Sequence, residues 1–200
     1  MDEEERTTAE LIRTLGVDVD RCHDNFMDAI EAQKDDEDGI DYEFEARQLI
    51  RAIFAFIEGL TFSIKIRAAY HGMRRGAGIS DPERYFAGEI SHALDEKGEI
   101  VERPAMINLS RNIRFAFALY EKAFNIPKQF DASAEWWSRL QRSIKVRDRL
   151  THPRMPADVD VSIDEVIDAL KAHEGFTNLL TTYMELEDAT GPANSDSTKH

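Results

Sequence analysis

Cysteine, long apolar runs and net positive charge are all scarce in this chain of 200 residues. Its single cysteine, Cys22, excludes an internal disulfide and is typical of a reducing, cytoplasmic location. The most apolar run, 53–66, is interrupted by charged residues and is shorter than a membrane-spanning helix. The N-terminal residues are acidic, whereas a secretory signal begins with basic residues. We therefore expect a cytoplasmic protein with no membrane partner.

Patterns that bind cofactors or metals are also lacking. The glycines Gly76 and Gly78 follow a predicted helix, whereas a dinucleotide-binding glycine pattern follows a strand. Glu89-x-x-His92 matches half of a di-metal bundle motif, but no second copy with the correct carboxylate accompanies it. We therefore expect no cofactor and no metal site.

What the chain has in abundance is acidic charge, and that charge is unevenly distributed. Residues 1–47 carry 17 acidic and 5 basic side chains, a balance of −12, and residues 157–200 carry 10 and 2, a balance of −8. Residues 48–156 carry 12 and 18, a balance of +6, although the whole chain stands at −14. A basic centre of this kind suits phosphate contacts, while the acidic ends suit a basic partner or cover the basic centre.

Helical periodicity extends through most of the chain and predicts an all-α, antiparallel helical bundle. We expect a single helical domain over 1–188, with acidic N-terminal helices in 1–40 packed on the bundle. The predicted helices are a short one ending at Gly16, then 18–34, a buried central one over 41–75, one from Asp81 with the stripe Phe86, Ile90 and Leu94, one through 113–124, one capped by Asp131 or Ser133, and one opened by Ser162 and Glu165.

Two segments fall outside this helical pattern. Residues 97–104 contain a Lys97-Gly98 turn and a short β-type run, which predicts one small hairpin. Residues 189–200 are polar and contain little that a core would bury, so we expect a disordered tail there.

The helix that carries both tryptophans ends in an unusual polar group. Trp137, Leu140 and Ile144 form an apolar stripe, and the next position on this stripe is Arg147. An unpaired buried charge is costly, so Arg147 requires a partner or an opening to a cleft or interface. Because His152 precedes Pro153, the helix should end near residue 151 and allow the imidazole to turn back toward the guanidinium.

The sequence Arg147-Asp148-x-x-x-His152 resembles the signature of the HEPN superfamily. This resemblance implies a small helical bundle that forms a homodimer and cleaves RNA without a metal, with the two motifs facing each other. In this interpretation His152 is the general base or acid and Arg147 binds the scissile phosphate. Asp148 would orient the imidazole or contact the Arg of the opposite subunit.

Basic residues around the motif complete the predicted RNA site. Lys145, Arg149 and Arg154 are expected to follow the RNA backbone. The resemblance also allows a toxin or defence effector with an antitoxin-like protein partner. Two other interpretations stay open at this point: a HEPN-like dimer that binds RNA or a protein without cleaving, and an unrelated helical interaction module.

Overall fold

Helices dominate the fold. The computed structural model of the chain describes residues 3–34 and 42–190. Within these residues the elements are α1 (Glu3–Lys34), α2 (Tyr42–Arg75), α3 (Asp81–Ala87), β1 (Ile90–Leu94), β2 (Ile100–Pro104), α4 (Leu109–Phe124), α5 (Glu135–Thr151), a single 3₁₀ turn (Pro156–Val159) and α6 (Ile163–Thr190). The predicted all-α fold with one small hairpin is confirmed.

The chain divides into two compact units. Among the described residues, 3–34, 42–60 and 131–176 form the first unit, and 61–130 and 177–190 form the second. Helices α2 and α6 therefore each contribute to both units. The single domain over 1–188 stays a prediction.

Parts of the predicted chain ends lie outside the described residues. Residues 35–39, which connect the predicted helices 18–34 and 41–75, and residues 191–200 of the predicted tail fall in this category. Residues 189 and 190, which we assigned to the tail, instead continue α6.

The first unit packs α1, the first part of α2, α5 and the first half of α6 around an apolar core. The predicted stripe of α5 is confirmed, because Trp137, Leu140 and Ile144 are all buried. Gly175 of α6 lies against Trp136 of α5 so closely that an added Cβ would come within 2.2 Å of the Trp136 Cβ. The backbones of α5 and α6 can approach this closely because position 175 has no side chain.

The prediction of two N-terminal helices is wrong, because α1 is continuous through Gly16. A mid-helix glycine costs only about 1 kcal/mol relative to alanine. Val19, Phe26 and Ala29 are buried on the same helix and supply more than that through packing. The tertiary contacts of α1 therefore outweigh the tendency of Gly16 to end a helix.

The second unit contains the hairpin, and here the predicted helix from Asp81 is too long. Helix α3 ends at Ala87, and Ile90 and Leu94 lie on β1. The chain turns at Glu89, which has a left-handed φ of 54° and accepts a hydrogen bond from the Ala105 N–H at 2.7 Å. The true N-cap of α3 is Ser80, which forms a capping box with Glu83.

The turn of the hairpin is organised by Asp95. Its carboxylate accepts the backbone N–H groups of Lys97 and Glu99 at 2.8 and 2.9 Å. Gly98 has a φ of 79°, which a glycine adopts without strain. Strand β2 confirms the predicted β-type run, and β1 is the arm that the sequence did not predict.

A buried ammonium links three elements of this unit. Lys65 of α2 is fully buried, and its Nζ donates to Glu89 at 2.7 Å and to the Asn112 amide oxygen at 2.8 Å. Asn112 of α4 also donates to Glu89 at 2.9 Å. Burial lowers the pKa of Lys65, although its hydrogen bond to Glu89 acts in the opposite direction. The Lys65 ammonium is therefore buried and paired, while the Glu89 carboxylate that it binds is 40% exposed.

Candidate functional site

The C-terminal turn of α5 carries the predicted motif at the surface of the first unit. The helix ends at Thr151, as predicted, and His152 is its C-cap residue with φ −128° and ψ 58°. The His152 backbone N–H donates to the Asp148 carbonyl at 3.1 Å. At the other end of α5 the N-cap is Ala134 without a side-chain hydrogen bond, so the predicted capping by Asp131 or Ser133 is wrong.

Arg147 is paired with two carboxylates. Its Nη2 hydrogen-bonds to Glu58 of α2, and its Nη1 donates to Asp148 at 3.1 Å. The Arg147 side chain is 30% exposed and that of Glu58 is 39% exposed, so the pair reaches solvent. Glu58 is thus the partner that the stripe position required. From the sequence alone Glu58 was visible only as an interruption of an apolar run.

His152 is exposed and its imidazole is unconstrained. Across residues 3–34 and 42–190, no hydrogen bond or ion pair of its side chain is found. The Asp148 carboxylate contacts the Arg147 guanidinium of the same chain rather than the His152 imidazole. The role of Asp148 toward the imidazole, or toward the opposite subunit, stays a prediction.

Helix α2 holds the chain segment that carries the motif. Besides Glu58, Arg51 donates from its Nη2 to the Leu150 carbonyl at 3.4 Å. Arg47 donates from its Nη1 to the Val159 carbonyl at 3.3 Å, beyond the end of α5. A cation at the carbonyl end of a helix is favoured by the helix dipole. None of these three α2 residues was predicted to lie at the site, because their contacts are 89 to 112 positions away along the chain.

Several cations that we counted in the basic centre are engaged within the fold. Arg139 and Arg142 both bind Asp168 of α6, and the hydrogen bond from Arg142 is the main cause that lowers the pKa of Asp168. Arg149 donates to both oxygens of Glu165, at 2.8 and 2.9 Å. Fewer cations around the motif are therefore left to contact a ligand than the sequence indicated.

Lys145 and Arg154 differ from these residues. Both side chains are exposed, and neither forms an ion pair with any described residue. Arg147 and Arg149, whose side chains are 30% and 26% exposed, also reach solvent, but carboxylates hold both of them. The RNA contact of Arg149 stays a prediction, because its guanidinium also holds Glu165.

The half-motif Glu89-x-x-His92 does not have metal-site geometry. Glu89 binds Lys65, and His92 lies on β1 with its ring 4.3 Å from that of Tyr85, whereas the di-metal motif requires both residues on one helix. No group of three potential ligands that could hold a metal ion is found in the part of the chain that the structure describes. Among the same residues, no helix has the length and apolar character needed to cross a membrane.

No family model, no curated protein sequence and no solved structure matches this chain. A functional assignment therefore depends on the chemistry of the site. The site consists of a half-exposed arginine held by two carboxylates, an exposed and unconstrained imidazole five residues later, and two exposed cations on the same segment.

Proposed function

We propose that the protein is a HEPN-like, metal-independent endoribonuclease that acts as a homodimer in the cytoplasm. The observation that carries the proposal is the placement of Arg147 and His152 at the same exposed end of α5. A guanidinium binds phosphate, and an imidazole titrates near neutral pH. RNA supplies its own nucleophile in the ribose 2′-OH, so the protein has to supply only charge stabilisation and proton transfer.

The proposed reaction is an internal transfer at phosphorus. His152 accepts the proton of the 2′-OH, the 2′-oxygen bonds to phosphorus, and the bond from phosphorus to the 5′-oxygen of the next nucleotide breaks. The leaving oxygen takes a proton from an imidazolium, for which the second copy of His152 in the dimer is available. The products end in a 2′,3′-cyclic phosphate and a 5′-OH. Arg147 stabilises the charge on the phosphate oxygens.

Arg147 is well prepared for this task by its carboxylate partners. Glu58 and Asp148 fix the planar guanidinium at the surface, and each contact is open enough to exchange for a phosphate oxygen. Lys145 and Arg154 then contact the backbone on either side, with a supporting contribution from Arg149. Residues of the acidic chain ends, 1–47 and 157–200, suit a basic antitoxin-like partner if the protein is a toxin or defence effector.

One observation favours a second candidate function, a non-catalytic HEPN-like dimer that binds RNA or a protein. Arg147 already faces two carboxylates, which balance its charge before any phosphate arrives. The imidazole of His152 also has no orienting hydrogen bond within the described residues. A site of this kind binds ligands but need not catalyse.

Cleavage of varied RNAs in the presence of EDTA tests the proposal. The wild type should cut, and Arg147→Ala and His152→Ala should each lose about 10²-fold or more of the rate. Arg147→Lys should also fail, because an ammonium retains the charge but not the planar fork. His92→Ala is the matched control, since it removes another exposed histidine and should cut normally.

Three results would contradict the mechanism: loss of cleavage with EDTA, full activity of Arg147→Lys, or products without a 2′,3′-cyclic phosphate. Binding of RNA without any cleavage would establish the second candidate function instead. Light scattering at micromolar concentration tests the dimer separately, and a monomer would exclude the shared pair of imidazoles.

A further inference from the structure

A cleft opens between α1 and α2 in the first unit. Its volume is about 300 Å³, at the lower end of the size range of about 300–1,000 Å³ for small-molecule sites. Leu15, Ala52 and Ala55 supply apolar surface. Further lining residues are polar or charged: Asp18, Arg21, Cys22, Gln48 and Arg51. A cleft that combines apolar surface with several polar groups suits a planar ring that carries hydrogen-bonding edges.

The cleft adjoins the motif through helix α2. Arg51 lines the cleft, and its Nη2 also donates to the Leu150 carbonyl, two residues before His152. Ala55 lines the cleft and Glu58, which binds Arg147, follows it by three positions on the same helix. Residues three or four apart lie on one helix face, so Arg51, Ala55 and Glu58 form one stripe. A ligand that lies along this stripe reaches both the cleft and Arg147.

The polar groups of the cleft match one side of a nucleotide. Arg21 and Arg51 provide cations for a phosphate next to the ring. The Asp18 carboxylate only accepts hydrogen bonds, so it requires a donor such as the exocyclic amine of cytosine or adenine. The Gln48 amide can donate to the neighbouring ring nitrogen or carbonyl oxygen. Uracil has a carbonyl oxygen where cytosine has its amine, and it would place that oxygen against Asp18.

We propose that this cleft binds a base of the RNA next to the scissile phosphate and prefers amine-bearing bases to uracil. The inference rests on the proposed function, since it adds a specificity subsite to the same RNA site. Asp18 is the residue that discriminates between bases, and Arg51 connects the subsite with the end of α5.

Cys22 offers a readout that does not depend on RNA cleavage. It is the only cysteine of the chain, it lines the cleft and it is partly accessible. Burial, together with the nearby Asp18 and Glu45 carboxylates, raises the pKa of its thiol, so alkylation is slow and easily followed at mildly alkaline pH. A base in the cleft should shield the thiol.

The experiment measures the alkylation rate of Cys22 with 2′-O-methyl oligonucleotides, which lack the nucleophile and cannot be cut. Oligocytidine should slow alkylation about 3–10-fold more than oligouridine, as expected for one hydrogen bond gained and one repulsion avoided. Asp18→Asn should remove this difference, because an amide can both donate and accept. Ala55→Trp should fill the cleft and abolish protection by either oligonucleotide.

Two controls separate occupancy of the cleft from misfolding and from labelling elsewhere. Ala118→Trp places the same large side chain at an exposed alanine of α4 and should leave protection unchanged. Cys22→Ser should eliminate labelling altogether. Melting curves of Asp18→Asn and Ala55→Trp should agree with that of the wild type.

The outcomes distinguish this inference from the proposed function. Protection by oligocytidine without any RNA cleavage leaves the cleft a base-binding site and overturns the nuclease. Cleavage of RNA without protection of Cys22 overturns the cleft and leaves the nuclease intact. Equal protection by both oligonucleotides, or a cytidine preference that survives in Asp18→Asn, overturns the role of Asp18.

Discussion

Two of the ion pairs of helix α2, Lys65 with Glu89 and Glu58 with Arg147, differ in how far the cation is removed from water. The Lys65 side chain is 0% exposed, whereas that of Arg147 is 30% exposed. Each cation has two hydrogen-bond partners. The two partners of Lys65 also bind each other, because the Asn112 amide donates to Glu89. A buried, fully satisfied cation is a structural contact that exchanges poorly with solvent. A half-open one can exchange its carboxylate for another anion, as a phosphate-binding residue must.

Deleting the carboxylate of each pair should give the largest difference between the two. Glu89→Ala leaves the buried Lys65 ammonium with Asn112 alone and should lower the free energy of unfolding by about 3 kcal/mol. Glu58→Ala leaves Arg147 in contact with Asp148 and water and should cost less than about 1 kcal/mol. Denaturant unfolding of both variants measures this. Equal losses would show that the Arg147 pair is as structural as the Lys65 pair.

Lowering the pH should also weaken the Lys65–Glu89 pair. Burial raises the pKa of Glu89, but hydrogen bonds from Lys65 and Asn112 outweigh it and hold the pKa below its ordinary 4.5. The unfolded chain therefore binds this proton more readily, and the stabilisation is complete above the unfolded-state pKa and lost as pH falls through the folded-state pKa. Unfolding curves from pH 6 downward should show a steeper loss for the wild type than for Glu89→Ala. Parallel curves would contradict the assignment.

Close packing against α6 should hold α5 in place alongside the ion pairs of Arg139, Arg142 and Arg149. Gly175→Ala would bring a Cβ within 2.2 Å of the Trp136 Cβ, which cannot move without the backbone of α5, and should cost about 1–3 kcal/mol. Gly16→Ala is the matched control. Its Cβ would lie 3.7 Å from Phe56, so the variant should gain about 0.5–1 kcal/mol from helix propensity. If Gly175→Ala left the free energy of unfolding unchanged, α5 and the motif at its end would shift easily.

The smallest expected effect is on RNA affinity. Glu58→Ala frees part of the charge of Arg147 for phosphate, so binding of single-stranded RNA should tighten a few-fold at low salt. The slope of log affinity against log salt should steepen by up to about 0.7, the contribution of one added phosphate contact. Titrations at several salt concentrations measure the slope, with Glu89→Ala as the control that should not change it. An unchanged slope together with an unchanged affinity in Glu58→Ala would show that Glu58 does not compete with phosphate for Arg147.

Local patterns in the sequence were sufficient for much of the fold. The span of α2, the end of α5 before His152 and Pro153, and the capping box of Ser162 with Glu165 were all predicted and are all present. Each depends on periodicity or on groups within four residues, which a sequence displays directly. The prediction failed where packing opposes a local signal, at the continuous α1 through Gly16, and at Glu89, where a left-handed residue starts a strand instead of another helical turn.

The sequence by itself determined that the chain is helical, that its basic residues lie in the middle, and that Arg147 is a cation on an apolar stripe in need of a partner. Only the tertiary structure decided which partner that is. The tertiary structure brings Glu58, Arg51 and Arg47 to the end of α5 from positions about ninety or more residues away. It also pairs Arg149 with Glu165 and leaves Lys145 and Arg154 exposed. The physical reason is that secondary structure depends on neighbours within a few residues, whereas the balance of charge at a site depends on side chains that only folding brings together.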